Sequence, residues 1–395
     1  MFVTHLGLTN FRNFSHLELD LTPGISAFQG GNAQGKTNLL EAIYLLATAR
    51  SHRAGTDREL VNWEAAKDEF PFARLWAEVR KTSGIVKVEM GLQGQTTLPQ
   101  KEVAEDNQLY VNKRIRVNGV PRRAMDLVGQ MLVVMFSSPD IDLVGGAPAL
   151  RRRYLDIALS QMDPLYLRSL QSYNRIILQR NHLLRLIREG RAKSNQLAFW
   201  DEELVKTGSY IIVQRQHTVA ALAELAALTH DRLTGSQEAL EVFYVGSIHQ
   251  QVAESSLEDV QLQAVAAAFQ DELQASQARE IERGMTLVGP HRDDLRLLAN
   301  GIDMGIYASR GQQRTIALSM KLAEASLMQA RTGDQPILLL DDVLSELDAE
   351  RCYHLLESVT SYQQVLITTT LEPDSLEPLT QATRFKVQQG TVERL

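Results

Sequence analysis

The sequence predicts an α/β fold whose core is divided along the chain by a long helical insertion, and three observations carry that expectation. The strand-like "GISAF" runs directly into the glycine loop "GGNAQGKT" (30–37) and on into helical periodicity from about Lys36 to Ala47. Far downstream, "PILLLDD" is a short apolar strand ending in Asp341 and Asp342. Between them, from Pro148 to about Ala278, apolar residues such as Leu165, Leu170, Ile177, Leu184 and Ile187 recur at helical spacing, with few strand signals. The expected organisation is therefore 1–147 as the N-terminal half of the α/β core with the P-loop and added antiparallel strands, 148–278 as a helical insertion, and 279–395 as the C-terminal half of the core.

Each element follows from local pattern. Residues 1–28 alternate as strands. "VKVEMGL" (86–92) and "LYVNKRIRVNGVPRR" (109–123) continue the alternation, and Asn118-Gly119 favours a tight turn because both residues tolerate positive φ. "TLVGPHRDDLRLLANGIDMGIY" predicts a hairpin across Asn300-Gly301, followed by a helix carrying Ile316 to Leu327 and a last strand "QVLITTT". "SELD" (345–348) reads either as a cap that starts the next helix or as a subunit contact.

Composition excludes several classes. A hydrophobic content of 44% over 395 residues supports one or two substantial cores. Apolar runs such as Met131 to Phe136 fall far short of the ~20 residues a bilayer requires, so no membrane span is expected. The start "MFVTHLGLTNFRNF" lacks the pattern of a secretion signal and the single Cys352 cannot form an internal disulfide, which points to the cytoplasm. A net charge of −7 argues against nonspecific adhesion to nucleic acid over the whole surface.

The chemistry concentrates in the glycine loop. "GGNAQGKT" fits GxxxxGKT, with Gly30, Gly35, Lys36 and Thr37 at the fixed positions and Gly31, Asn32, Ala33 and Gln34 between them. Glycines let backbone N–H groups curl around a phosphate, the following helix adds its positive end, an exposed Lys36 reaches the terminal phosphates, and Thr37 offers a hydroxyl to Mg²⁺. Such a loop needs an acid at the end of a neighbouring strand, and Asp341 takes that role. Asp342, pointing the other way on an extended backbone, is expected to polarise the attacking water; its alternative is a strand-end or helix-capping acid. "YASRGQQRT" (307–315) places Ser309, Arg310, Gly311 and Gln312 at a second helix N-terminus, which is either another anion site or an ordinary capped helix.

A nucleotide head split around a helical insertion resembles the ABC-type ATPases of chromosome maintenance, the group of the SMC, Rad50, RecN and RecF proteins. The insertion is too short for SMC or Rad50 coiled coils, and one cysteine excludes a CxxC zinc hook. "LTNFRNF" (8–14), "GGNAQGKTNLLEAIYLLATARSHR" (30–53), "RRRYLDIALSQ" (151–161), "GPHRDDL" (289–295), "SRGQQR" (309–314) and "LLLDDVLSELD" (338–348) are similar to the short-armed RecF family over nearly the whole chain. The resemblance implies a Rad50-like head and a cytoplasmic ATPase that dimerises on ATP, hydrolyses it slowly, and binds double- and single-stranded DNA at gaps or junctions. It further implies partners RecO and RecR in assisting RecA loading. By similarity, residues 30–37 bind ATP, Thr37 and Asp341 hold Mg²⁺, and Ser309, Arg310, Gly311 and Gln312 form a signature loop that acts on the partner subunit's nucleotide. Arg12 and Asn13 sit where Rad50-like proteins approach the nucleotide, or else form a strand-end turn.

Three departures from the wider ABC pattern bear on hydrolysis. The signature reads Ser-Arg-Gly-Gln-Gln, Asp342 stands where transporters usually have Glu, and Thr368 to Thr370 stand where transporters have a histidine. These traits fit a switch better than a motor. Residues 151–193 hold ten Lys or Arg against three acids, Asp156, Asp163 and Glu189, while residues 111–123 hold Lys113, Arg114, Arg116, Arg122 and Arg123 with no acid. These are the expected DNA-contacting regions, with a solvated helix surface as the alternative. Two other classes are a transporter-coupled ATPase and an ATPase-linked nuclease. The helical insertion that splits the core and "GPHRDDL" have no place in the first, and the second needs an extra acidic metal-binding domain.

Overall fold

The computed structural model describes residues 1–96, 109–248, 258–370 and 379–395. The chain begins with β1 (Phe2–Phe11), β2 (Phe14–Asp20), β3 (Gly24–Gln29) and α1 (Lys36–Thr48). Then come β4 (Phe72–Lys81), β5 (Gly84–Thr96), β6 (Leu109–Val117), β7 (Val120–Arg122), the single turn α2 (Ala124–Leu127) and β8 (Val133–Phe136). Helices follow: α3 (Asp142–Gly145), α4 (Pro148–Met162), α5 (Pro164–Arg188) and α6 (Leu197–Leu233), then β9 (Leu240–Val245) and α7 (Glu258–Arg283). β10 (Asp294–Ala299), β11 (Ile302–Asp303) and α8 (Met304–Tyr307) lead to α9 (Arg310–Thr332). β12 (Ile337–Asp341), α10 (Ala349–Val359), β13 (Gln364–Thr369), β14 (Thr383–Gln388) and β15 (Thr391–Arg394) complete the order.

Two compact units result. One comprises Met1–Asp140, Arg232–Gly235 and Lys321–Leu395; the other comprises Ile141–Asp231 and Ser236–Met320. These limits differ from the expected divisions at 148 and 278, because residues 279–320 join the second unit. Strand pairing is the reason: β10 pairs antiparallel with β9 from Asp294↔Val245 to Ala299↔Leu240. β9 falls within the stretch expected to be helical, 148–278.

The first unit contains two sheets. One is antiparallel in the order β2-β1-β4-β5-β6-β7, with Asn118 and Gly119 both at positive φ in the expected turn. Its strands bury one face, as in β4, where Ala73, Leu75, Ala77 and Val79 are buried and Arg74 is exposed. The other sheet has the order β15-β14-β3-β13-β12-β8 and is parallel except for β14–β15. β12 and β13 are buried throughout, which accounts for the unbroken apolar runs "ILLL" and "VLI". The helix α1 contacts β1, β4 and β5 of the first sheet and β8, β12 and β13 of the second, so the segment after the glycine loop lies between them. Only β13 separates the C-terminal ends of β3 and β12.

The second unit packs helices around Tyr166, Tyr173, Leu204, Ile211, Phe269 and Leu273, with a three-stranded sheet β11-β10-β9 whose Asn300-Gly301 turn has the expected positive φ. Its core is also polar. Arg180 is fully buried, with Nε 2.7 Å from Asp201 and Nη2 2.6 Å from Glu280. The buried Arg215 reaches Asp156 at 2.7 Å and the Pro290 carbonyl at 2.6 Å. "GPHRDD" is explained by such contacts: His291 meets the Tyr173 hydroxyl at 2.7 Å, Asp293 accepts from Tyr244 and from the Ser247 amide, and Asp294 pairs with the buried Arg151. The ten basic residues of 151–193 do not all lie on the surface. Arg151 and Arg180 are internal ion-pair partners, while Arg168, Arg175 and Arg185 lie exposed on α5.

Candidate nucleotide site

The glycine loop leaves β3 and re-enters helix at Lys36, as its spacing requires. Gly35 has φ +116, and a Cβ there would strike the Asn13 carboxamide; one on Gly30 would strike the Val387 carbonyl. Both positions therefore admit only glycine without rearrangement. Lys36 is buried, not exposed as expected, because the loop wraps its ammonium: Nζ donates to the carbonyls of Gly30 (2.7 Å) and Gly31 (2.9 Å). Burial lowers the lysine's pKa, with Asp342 and Asp341 acting against that shift.

A cavity of about 210 Å³ lies at this loop, lined by residues 32–38 with Arg53 and Asp342. Parallel pairing aligns Asp341 of β12 with Thr368 of β13, and Thr368 with Phe28 of β3. Asp341 Oδ1 thus accepts hydrogen bonds from Thr37 Oγ1 at 3.0 Å and Thr368 Oγ1 at 2.7 Å. Burial raises the Asp341 pKa against those two hydrogen bonds. Thr37 and Asp341 are hard oxygen donors, and a pair of this kind fits Mg²⁺, which completes its shell with phosphate oxygens and water.

Asp342 departs from the expected geometry. Its backbone is left-handed (φ 54) instead of extended, since β12 ends at Asp341 and the chain turns at once into the short 3₁₀ segment Leu344–Glu346. The turn is held by the Asp342 amide donating to Thr368 Oγ1 at 2.9 Å. The Asp342 side chain still lines the cavity, and its buried Oδ1 has no hydrogen-bond partner among the described residues. In "SELD" it is Asp348 that caps α10, by accepting from the Arg351 amide at 2.8 Å.

Arg12 and Asn13 fall into different roles. Asn13 braces the loop, donating to the Gln34 carbonyl at 2.9 Å and accepting from Asn38 at 2.7 Å. Arg12 is not among the residues lining the cavity; its guanidinium grips Glu41 of α1 through two bonds of 2.9 and 2.8 Å. Besides Lys36, the cation lining the cavity among the described residues is Arg53, held by Asn38 at 2.6 Å and Glu41 at 3.1 Å. Arg53 lies within "ARSHR" directly after the loop helix, a place that carries no motif of its own. A second unforeseen support is the β14–β15 turn, where the amides of Gln389 and Gly390 donate to the side chain and carbonyl of Gln34.

In the second unit, Ser309 caps α9 reciprocally. Its Oγ accepts from the Gln312 amide at 3.2 Å, and its own amide donates to Gln312 Oε1 at 3.1 Å. Ser309 and Arg310 are exposed and Gly311 half-buried. The capped-helix alternative is thus observed.

The RecF/RecN/SMC N-terminal domain family matches residues 2–393. The chain is 46% identical to the DNA replication and repair protein RecF of Roseiflexus castenholzii over 401 residues, covering 99% of each. It is 39% identical to the RecF of Halalkalibacterium halodurans, covering 100% of each. Among solved structures it is similar to the recombination mediator protein RecF in complex with ATP in the RecFOR pathway, with TM-score 0.84, 31% identity, and coverage of 100% of this chain and 97% of that one. An SMC head bound to the C-terminal winged-helix domain of ScpA shares the fold at TM-score 0.51 and 13% identity. Split head, glycine loop and strand-end aspartates thus agree with similarity along the full chain: it belongs to the RecF branch of the RecF/RecN/SMC family of ABC-type ATPases.

Proposed function

We propose that this chain is an ATP-operated dimerising switch that acts on DNA in recombinational repair and replication. The observation that carries the reading is the contact between Thr37 and Asp341, residues from opposite ends of the chain, beside a cavity lined by Lys36 and Asp342. On ATP binding, Lys36 exchanges the carbonyls of Gly30 and Gly31 for phosphate oxygens. Mg²⁺ held by Thr37 and Asp341 would neutralise charge on those oxygens. The unpartnered oxygen of Asp342 is suited to accept a hydrogen bond from the attacking water. Thr368, committed to Asp341 and to the Asp342 amide, offers no general base there. Slow turnover is consistent with that, and with a switch.

The signature loop at Ser309 completes the γ-phosphate site of a second copy, so that hydrolysis releases the dimer. The neighbouring Ile306 and Tyr307, each 72% exposed, are the kind of apolar surface such an interface covers. DNA contact falls to exposed cations. In the antiparallel sheet Arg74 and Arg114 both lie opposite Gly91, with Arg116 on the same face of β6; on the helical unit α5 contributes Arg168, Arg175 and Arg185. RecR and RecO as partners, RecA loading at gaps, and a cytoplasmic location follow from the family.

The test is nucleotide and DNA titration of wild type and Lys36→Ala. The variant is expected to lose ATP affinity by about a hundredfold or more while circular dichroism remains that of the wild type. ATP should tighten binding to gapped DNA only in the wild type, and added salt should weaken it steeply. Unchanged ATP turnover by a folded Lys36→Ala protein contradicts the reading.

A further inference from the structure

In the signature loop, the Gln312 side chain is held from both ends. Its Oε1 accepts from the Ser309 amide at 3.1 Å, and its Nε2 donates to Glu238 Oε1 at 2.8 Å. A carboxamide can otherwise turn over and exchange its oxygen and nitrogen, so the acid decides which atom meets Ser309. Glu238 is itself fixed. Its other oxygen lies 3.3 Å from Nε2 of the fully buried His230, near the end of α6, and His230 Nδ1 lies 3.0 Å from Ser319 Oγ on α9. The contacts form a closed circuit from the start of α9 through the loop after α6 and back to α9 two turns on. Nothing in "YASRGQQRT" announces this partner, which comes from the segment between α6 and β9.

A carboxylate beside an anion-binding helix N-terminus works against anion affinity on electrostatic grounds alone. Its presence calls for another explanation, and the geometry supplies one: Glu238 spends its charge on Gln312 and His230. We infer that Glu238, backed by His230, is a positioning residue that sets Gln312 and through it Ser309 in the orientation the partner subunit's γ-phosphate requires. This inference rests on the trans role of the signature loop proposed above.

The experiment measures two quantities on the full-length chain: ATP-dependent dimerisation by sedimentation velocity, and ATP affinity of the monomer at low protein concentration. Glu238→Ala is expected to weaken ATP-dependent dimerisation about tenfold, the loss of one charge-assisted hydrogen bond, and to leave monomer ATP affinity unchanged. Glu238→Gln keeps an acceptor for Gln312 and should recover most of the loss, which a merely destabilised arm would not do. Combined with Gln312→Ala, Glu238→Ala should add nothing further, because both cut the same bond. If Glu238→Ala does not fold, Gln312→Glu sets two carboxylates face to face from the helix side and should give the same loss. Wild-type dimerisation by Glu238→Ala or by Gln312→Glu, failure of Glu238→Gln to recover, or full additivity in the double variant would each overturn the inference, provided that Ser309→Arg blocks dimerisation. If Ser309→Arg also dimerises as wild type, the trans reading fails and the inference with it.

Discussion

Burial acts on Lys36 and Glu41 in α1 and on His52 just after it, with different outcomes. Lys36 is pushed down by burial despite two nearby aspartates. Burial alone would raise Glu41, but hydrogen bonds from Arg12 and Ser51 outweigh it and hold the carboxyl below the usual range. His52 has no such help. It meets Tyr44 edge-on, neither ring nitrogen has a hydrogen-bond partner among the described residues, and burial brings its pKa to about 4 in spite of the attraction of Glu41. A histidine that titrates near 6.5 unfolded and about 4 folded takes up its proton first in the unfolded chain. Its contribution is therefore fully retained above pH 6.5 and lost as pH falls towards 4, by up to about 3 kcal/mol. Denaturant unfolding of His52→Leu beside wild type at several pH values checks this. The variant should gain on the wild type as pH drops from 7 to 4, whereas a difference independent of pH contradicts the assignment. Groups common to both proteins cancel in the comparison.

At the scale of elements, what could be read from sequence was what local spacing dictates. The glycine loop, α1, the strand ending at Asp341 and the two Asn-Gly hairpins each depend on residues adjacent in the chain, and each is where the pattern put it. What escaped depends on pairing between distant segments. β9 is six residues long and is defined by its register with β10, so a short alternation beside long helices gave no distinct signal. The turn at Gln389 and Gly390 reaches the glycine loop only because β14 lies next to β3 in the sheet. A helical wheel places Arg180 among the basic residues of α5 and cannot show that Asp201 and Glu280, from two other helices, meet it inside. That burial carries its own prediction. Arg180→Ala leaves Glu280 buried without its partner and should destabilise the protein by about 3–5 kcal/mol in denaturant unfolding. The exposed Arg185→Ala should cost under about 0.5 kcal/mol. Equal effects from the two would show that the buried ion pairs do not hold the helical unit together.

For the whole molecule, the helix N-termini at the glycine loop and at Ser309 belong to different compact units of the chain, the first and the second respectively. A protein with one nucleotide site has a use for both if a two-fold dimer sets each signature loop against its partner's ATP. ATP then acts as the joint, and ADP, lacking the bridging phosphate, releases it. Sedimentation velocity with ATP, ADP or no nucleotide, on wild type and Ser309→Arg, separates a trans-acting loop from an ordinary helix cap. A dimer is expected only for wild type with ATP, while Ser309→Arg binds ATP as a monomer and does not associate. ATP-dependent dimerisation of Ser309→Arg indistinguishable from wild type would contradict it.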